Sequence, residues 1–470
     1  MPYEKVTGED IKYLLGVCGA DHILTGDAIH SDFTHDEMIE YGCYTPEVVV
    51  EAMDTGQVSR IMAYASERHI PVTPRGAGTG LCGSAVTIYG GILLSLAKMD
   101  RIIEFDRENF TVTLQPGVLL MDLAQAAIDE GMFYPPDPGE KSATVGGNVM
   151  TNAGGMRAVK YGVTRDYVRG MTAVLPDGRI LYLGGKIAKN SSGYSLKDLI
   201  IGSEGTLAIV TELIMKLIPL PQKSMSLLVP FPDLAQCIRT VPKIIQSRIT
   251  PTAVEFMERE VIEAAEEYLG YHFPDKSSDA YLLLTFDGNT KEQIDTAYEA
   301  AADVCLESGA LDVYISDTEE RQESIWKARG AFLEAIKTST TEMDECDVVV
   351  PRNCIADFLL YVNDLQSDHG MRIRSFGHAG DGNLHIYLCR DELSEADWHK
   401  RRELLMDLMY KKAIEMQGQI SGEHGIGHAK VGYLRQSVGE DTVDLMCGIK
   451  EVFDPQCILN PGKIISCLDN

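Results

Sequence analysis

The sequence lacks any Cys-x-x-Cys pair, any long apolar run and any balance of positive against negative charge. Each shortage argues against a class of function. Eleven cysteines are scattered singly, a spacing that suits neither a disulfide framework nor a thiolate zinc site nor an iron–sulfur cluster. Reduced, mostly buried thiols in a cytoplasmic protein are expected instead. No stretch reaches the roughly 20 apolar residues that span a bilayer. Ile88–Met99 and Leu213–Leu220 come nearest, and Gly, Lys or Pro breaks each. The opening Met1-Pro2-Tyr3-Glu4-Lys5 lacks the basic-then-apolar pattern of a signal peptide, so no membrane insertion is expected. With 42 basic against 70 acidic residues the formal charge is −28. Such a chain repels nucleic acid and anionic lipid. It also repels an anionic substrate at long range, which local cations or a metal would have to overcome.

At 470 residues the chain is too long for one compact core. Residues 1–41 read as a short, acidic helical arm. A βαβ pattern follows: a strand at Val48–Val50, helical spacing of Val58, Ile61, Met62 and Ala65, and a strand at Ile70–Thr73. Phe110–Leu114 reads as a strand, and Leu120 to Ile128 as an amphipathic helix ending at Gly131. Residues 134–165 are glycine-rich and loop-like, and so long a structureless stretch is usually functional. Leu207–Leu220 closes the region as a strand, with Pro219-Leu220-Pro221 marking a boundary. Beyond it, strands at Ser226–Pro230, Ala280–Phe286, Leu311–Ile315 and Asp347–Val350 alternate with helices, which suits an α+β domain with a mostly antiparallel sheet.

Two segments carry chemistry. The first is the loop Pro74-Arg75-Gly76-Ala77-Gly78-Thr79-Gly80. Gly78-x-Gly80-x-x-Gly83 fits the dinucleotide fingerprint, but that motif needs a helix directly after the glycines. Here Val86–Leu94 is strand-like. No Gly-Lys-Ser/Thr follows, so a Walker loop fails as well. A nest of backbone N–H groups can hold phosphate without a helix, with Arg75 as added positive charge. A plain tight turn is the bland alternative.

The second is a pair of late histidine segments. In Phe376-Gly-His378-Ala-Gly-Asp381-Gly382-Asn-Leu-His385, the Asp-Gly pair signals a hairpin between strand-like arms. The two arms bring His378 and His385 together. Ser421-Gly422-Glu423-His424-Gly425 sets Glu-His between glycines. Two imidazoles and a carboxylate suit Zn²⁺, Fe²⁺ or Mn²⁺ with positions left open for substrate. Ordinary turn histidines are the alternative.

The loop 74–80, the run Pro135-Pro136-Asp137-Pro138 through Gly155, and Ile201-Gly202-Ser203-Glu204-Gly205-Thr206-Leu207 resemble the FAD-linked oxidases of vanillyl-alcohol-oxidase (PCMH) type, in the glycolate oxidase subunit and D-lactate dehydrogenase group. The resemblance covers most of the chain. It implies an α+β fold: a two-subdomain FAD-binding domain over 42–221, an α+β cap domain over 222–415, and a C-terminal segment, 416–470, returning to the site. It implies FAD contacts from Pro74, Arg75, Gly76, Ala77, Gly78, Thr79, Gly80, Ser84, Pro138, Thr144, Gly147, Asn152, Gly155, Tyr161, Gly162, Glu204, Ile209 and Asn460. Some relatives attach the flavin through a histidine where Thr79 stands here, so the FAD should be non-covalent. The resemblance also implies His378, His385 and Glu423 as ligands of one divalent metal, His424 as general base, and Arg329 as the fork for a substrate carboxylate. Relatives acting on diacids carry a lysine near the place of Glu345, so this acid points to a small 2-hydroxy monoacid such as lactate or glycolate. Lactate enzymes of the group can pass electrons to an electron-transfer flavoprotein. A non-catalytic flavin-binding subunit, the rival reading, would need no histidine pattern.

Overall fold

The computed structural model describes residues 3–270, 273, 275, 277–316 and 318–465. They divide into two compact units. The first holds the described residues of Met1–Ala153, Val163–Leu220 and Glu423–Asn470; the second holds those of Gly154–Gly162 and Pro221–Gly422.

The first unit contains two main sheets. One has β1 (Ile23–Leu24), β2 (Val48–Glu51), β3 (Val72–Arg75) and β4 (Ile92–Ser95), in the order β1-β2-β4-β3. β4 runs parallel to both β2 and β3. Val48, Val49, Val50, Ile92, Leu93 and Leu94 are fully buried, the continuous apolar run expected of parallel strands covered on both faces. Helix Thr55–Arg68 joins β2 to β3. Asp54 caps it by accepting from the Gln57 amide at 2.8 Å, and it closes on left-handed His69. Val58, Ile61, Met62 and Ala65 face the core as their spacing predicts.

The simple βαβ reading needs one correction: β4 lies between the two strands that flank the helix. In place of the strand expected over Val86–Leu94 there is only Ile92–Ser95. Gly90 and Gly91 have φ of +71° and +75°, which a strand cannot use. Helix Gly8–Cys18, opened by a Thr7–Asp10 capping box, packs Leu14 and Cys18 into the same core.

The other sheet has β5 (Ile102–Asp106), β6 (Thr111–Leu114), β8 (Val168–Val174), β9 (Ile180–Gly184) and β10 (Ile209–Lys216), in the order β5-β6-β10-β8-β9, antiparallel throughout. β7 (Met132–Phe133) and β11 (Ile218–Pro219) form a small separate pair. The stretch read as structureless contains two short helices, Val145–Thr151 and Ala158–Tyr161. Gly146-Gly147 hid the first, since glycine is a poor helix former. Thr144 caps that helix, and burial of Val145 and Val149 supports it.

The second unit is built on a seven-stranded sheet: β12 (Lys223–Phe231), β13 (Ala253–Glu258), β14 (Ala280–Gly288), β15 (Tyr314–Ser316), β16 (Met343–Val349), β17 (Arg372–His378) and β18 (Asn383–Cys389). The order is β15-β12-β14-β13-β17-β18-β16 and every pairing is antiparallel, as the sequence pattern predicts. Strand alternation sets one face. On it, Met257, Phe376, Tyr387 and Cys389 pack against Val261, Ile262, Phe332 and Ile336 from helices Arg259–Leu269 and Phe332–Thr338. The same alternation continues this face into Glu255, His378, His385, Glu345 and Asp347. The apolar core thus grades into a polar end at the β17–β18 hairpin.

Candidate functional site

The hairpin register pairs Phe376 with His385 and His378 with Asn383. The two histidines therefore share a face, one diagonal step apart. Their Nε2 atoms are 3.4 Å apart. The turn takes the four residues 379–382 rather than the two an Asp-Gly hairpin would use: the Asp381 and Gly382 amides both donate to the His378 carbonyl.

Behind each ring stands a carboxylate. His378 Nδ1 is 2.7 Å from Glu255 Oε1, and His385 Nδ1 is 3.0 Å from Glu345 Oε1. An ionised carboxylate only accepts, so each neutral ring carries its proton on Nδ1 and a lone pair on Nε2. Two lone pairs converging in this way repel each other unless a cation lies between them. Two nitrogens bound at about 2.0–2.1 Å with tetrahedral opening would sit about 3.4 Å apart. A carboxylate holding the far nitrogen is the usual support of a metal-binding histidine. The donor set therefore fits a divalent ion.

Glu345 also accepts from the Tyr387 hydroxyl at 3.0 Å. Burial, and then the charge of Glu345, holds that phenol well above its ordinary value. Glu345 is only 5% exposed, and its visible work is to orient His385. Its reading as a residue that repels a distal substrate carboxylate finds no support in this geometry.

Arg329 stands on helix Glu319–Gly330 and is buried. Its Nε and Nη2 donate to Glu255 Oε2 at 2.8 and 2.6 Å, and its guanidinium lies 4.5 Å from the Phe376 ring centre. Glu255 thus serves His378 with one oxygen and Arg329 with the other. Burial works to raise the Glu255 carboxyl, but His378 and Arg329, which both donate to it, hold it below its ordinary value. Sequence reasoning missed Glu255 altogether. Its signal was weak: one acid between apolar neighbours on a strand.

The structure therefore gathers His378, His385 and Arg329 in the second unit. Glu423 and His424 begin the C-terminal part of the first, with Glu423 Oε1 3.8 Å from His424 Nε2.

The expected flavin residues also divide between the units. The loop 76–80 leaves the end of β3, partly exposed. A Cβ on Gly76 would overlap Thr144 Oγ1, and Gly78 has a φ of +81°, so both positions need glycine. The cradle is thus open backbone beside the capped start of helix Val145–Thr151, which fits a phosphate. Arg75, expected as added positive charge and as a flavin contact, is buried. Its guanidinium donates to the carbonyls of Asp32 and Ala85 and braces the loop from beneath. Pro138, Gly147 and Asn152 lie in the same unit, Asn152 as the left-handed end of the helix. Ile209 points into the core. Ser84, Glu204 and Asn460 bond to one another: Ser84 Oγ donates to Glu204 Oε2 at 2.5 Å, and Asn460 Nδ2 donates to the carbonyls of Ser84 and Glu204. Gly155, Tyr161 and Gly162 belong to the second unit, where the Tyr161 hydroxyl donates to Asp287.

Every described cysteine is free. Among the described residues, no helix is long and apolar enough to cross a membrane.

Comparison with known proteins gives two family matches: "FAD linked oxidases, C-terminal domain" over residues 220–464, and "FAD binding domain" over 46–195. A D-lactate dehydrogenase of Anaerostipes hadrus is 54% identical over 467 residues, covering 98% of both chains. A glycolate oxidase subunit of Bacillus subtilis is 39% identical, covering 97% of both. The solved structure of p-cresol methylhydroxylase with substrate bound aligns over all of this chain and 99% of that one, with a TM-score of 0.83 at 18% identity. That likeness shows the PCMH-type fold.

Proposed function

The chain belongs to the FAD-linked oxidases and is an oxidoreductase, and from that premise we propose that it oxidises a small 2-hydroxy monoacid, D-lactate first, to the 2-oxo acid. The observation that carries the chemistry is the pair of imidazoles with converging Nε2 atoms, each backed by a buried carboxylate. The 54% identity to a D-lactate dehydrogenase supports the substrate.

In this reading the FAD is held non-covalently by the loop 74–80 and the residues named with it, and when bound it accepts two electrons and the substrate's Cα hydrogen. His378, His385 and Glu423 hold one divalent ion, Zn, Fe or Mn, which supplies acidity to the substrate hydroxyl. Glu423 as third ligand rests on the family resemblance and on its place one residue past Gly422. Arg329 takes the substrate carboxylate with the guanidinium edge that Glu255 leaves open. His424 removes the hydroxyl proton as general base. Electrons then pass to an electron-transfer flavoprotein, in the cytoplasm. The 39% identity to a glycolate oxidase subunit favours glycolate as the second reading.

Anaerobic mixing of the holoenzyme with D-lactate, L-lactate, glycolate and D-2-hydroxyglutarate tests this. D-lactate should bleach the flavin fastest. Faster bleaching by glycolate would favour the second reading, and no bleaching by any 2-hydroxy acid would overturn both.

A further inference from the structure

The chain passes from the second unit to the first between Gly422 and Glu423. On each side of that crossing a buried carboxylate holds the chain, before it through one backbone amide and a hydroxyl, after it through two backbone amides. Before it, Asp347 Oδ2 accepts from the Ser421 hydroxyl at 2.9 Å and from the Gly422 amide at 3.0 Å, while Oδ1 accepts from Asn383 Nδ2 at 2.7 Å. After it, Glu204 Oε1 accepts from the Ile426 amide and Oε2 from the Gly427 amide, both at 2.7 Å. Asp347 is fully buried, and Glu204 is 5% exposed.

The glycines that bracket Glu423-His424 make room for Asn383, which Asp347 holds, and for Glu204. A Cβ on Gly422 would overlap the Asn383 side chain, and one on Gly425 would lie 2.7 Å from Glu204 Oε1. The return loop is pinned further: the His428 amide donates to the Cys82 carbonyl at 3.1 Å, and the Ile464 amide donates to the Gly427 carbonyl at 2.8 Å.

We propose that Asp347 and Glu204 are positioning residues that clamp the Glu423-His424 dipeptide from its two ends. The inference rests on the reading of His424 as base. Two charged acceptors fix backbone more firmly than neutral ones, and a displacement of about 1 Å at a reacting group can cost about 100-fold in rate. An amide in place of either carboxylate turns one accepting oxygen into a donor facing a donor.

The test uses the holoenzyme variants Glu204→Gln and Asp347→Asn, each alone and with His424→Ala, in anaerobic flavin reduction by D-lactate. Asp347→Asn should keep its FAD, Glu204→Gln is compared at saturating FAD because Glu204 stands among the proposed flavin contacts, and each should slow reduction about 100-fold, with the half-saturating lactate concentration little changed. With His424 already removed, either change should cost less than about threefold, because residues acting through one group are not additive. Reduction within about threefold of wild type in either single variant, or a full multiplicative loss beside His424→Ala, would overturn the clamp. If His424→Ala itself reduces as fast as wild type, the base assignment falls first and takes the clamp with it. The two variants lie in different units, and Glu204→Asp, which keeps the charge but shortens the reach, replaces Glu204→Gln if that protein does not accumulate; wild-type reduction there overturns the proposal equally.

Discussion

The glycine loop of the first unit and the histidine hairpin of the second build sites in opposite ways. In the loop the backbone is the instrument: Gly76 and Gly78 clear space and bend the chain, and Arg75 works from beneath. In the hairpin the backbone is a regular antiparallel ladder, and the instrument is a set of side chains on one face. The loop can hold a phosphate of many molecules. The hairpin selects a chemistry, because two fixed tautomers aim their lone pairs at one point.

That contrast can be broken by substitution. The largest effect is expected from His378→Ala, which should remove the metal, slow flavin reduction by about 10³-fold or more, and leave FAD content unchanged. Metal analysis and stopped-flow absorbance read both. Metal at the wild-type level would dismiss the ligand assignment. Glu345→Gln should be milder. It loosens the hold on His385 and should weaken metal affinity about 10–100-fold, measured by competition with a chelator; unchanged affinity would reduce Glu345 to packing. Gly76→Ala is the mirror case. Its methyl group meets Thr144, so FAD binding should weaken by about 1–3 kcal/mol while metal content holds, and excess FAD should restore activity. If metal were lost as well, the two sites would not be separate devices.

The smallest expected effect is on stability. Burial, reinforced by Glu260, pushes the Glu258 carboxyl up to about 7, against the pull of Arg374, Asn363 and Ser375. Between the ordinary carboxylate value and about 7, the unfolded chain ionises while the folded one keeps its proton. Stability therefore falls as pH rises through that window. Glu258→Gln should flatten the slope, raising Tm modestly at pH 8 and hardly at all at pH 4. An unchanged slope would mean that Glu258 is not the group responsible.

How much the sequence disclosed follows the same division. The hairpin strands, the helix over Val58 to Ala65 and the closeness of His378 and His385 were legible, because strand alternation and helical spacing are local. Glu255 was not. Nothing in Ala253–Glu258 says that its acid will meet a histidine 123 residues later, since only the sheet order puts β13 beside β17. Glu345 was noticed, but its bond to His385 was not foreseen. The helix at Val145–Thr151 was hidden by its glycines, and nothing local showed that the Arg75 guanidinium would bond to the carbonyls of Asp32 and Ala85. Residue types at a site can be read from a chain more readily than the groups that aim them.

In the proposed function the histidine pair binds a metal that substrate oxidation needs. Anaerobic stopped-flow reduction of the flavin by D-lactate, before and after chelation and then with Zn²⁺, Mn²⁺ or Fe²⁺ restored, tests it most directly. Rapid bleaching, its loss on chelation with FAD still bound, and its return with metal are the expected results. Bleaching at an undiminished rate in metal-free enzyme would contradict it.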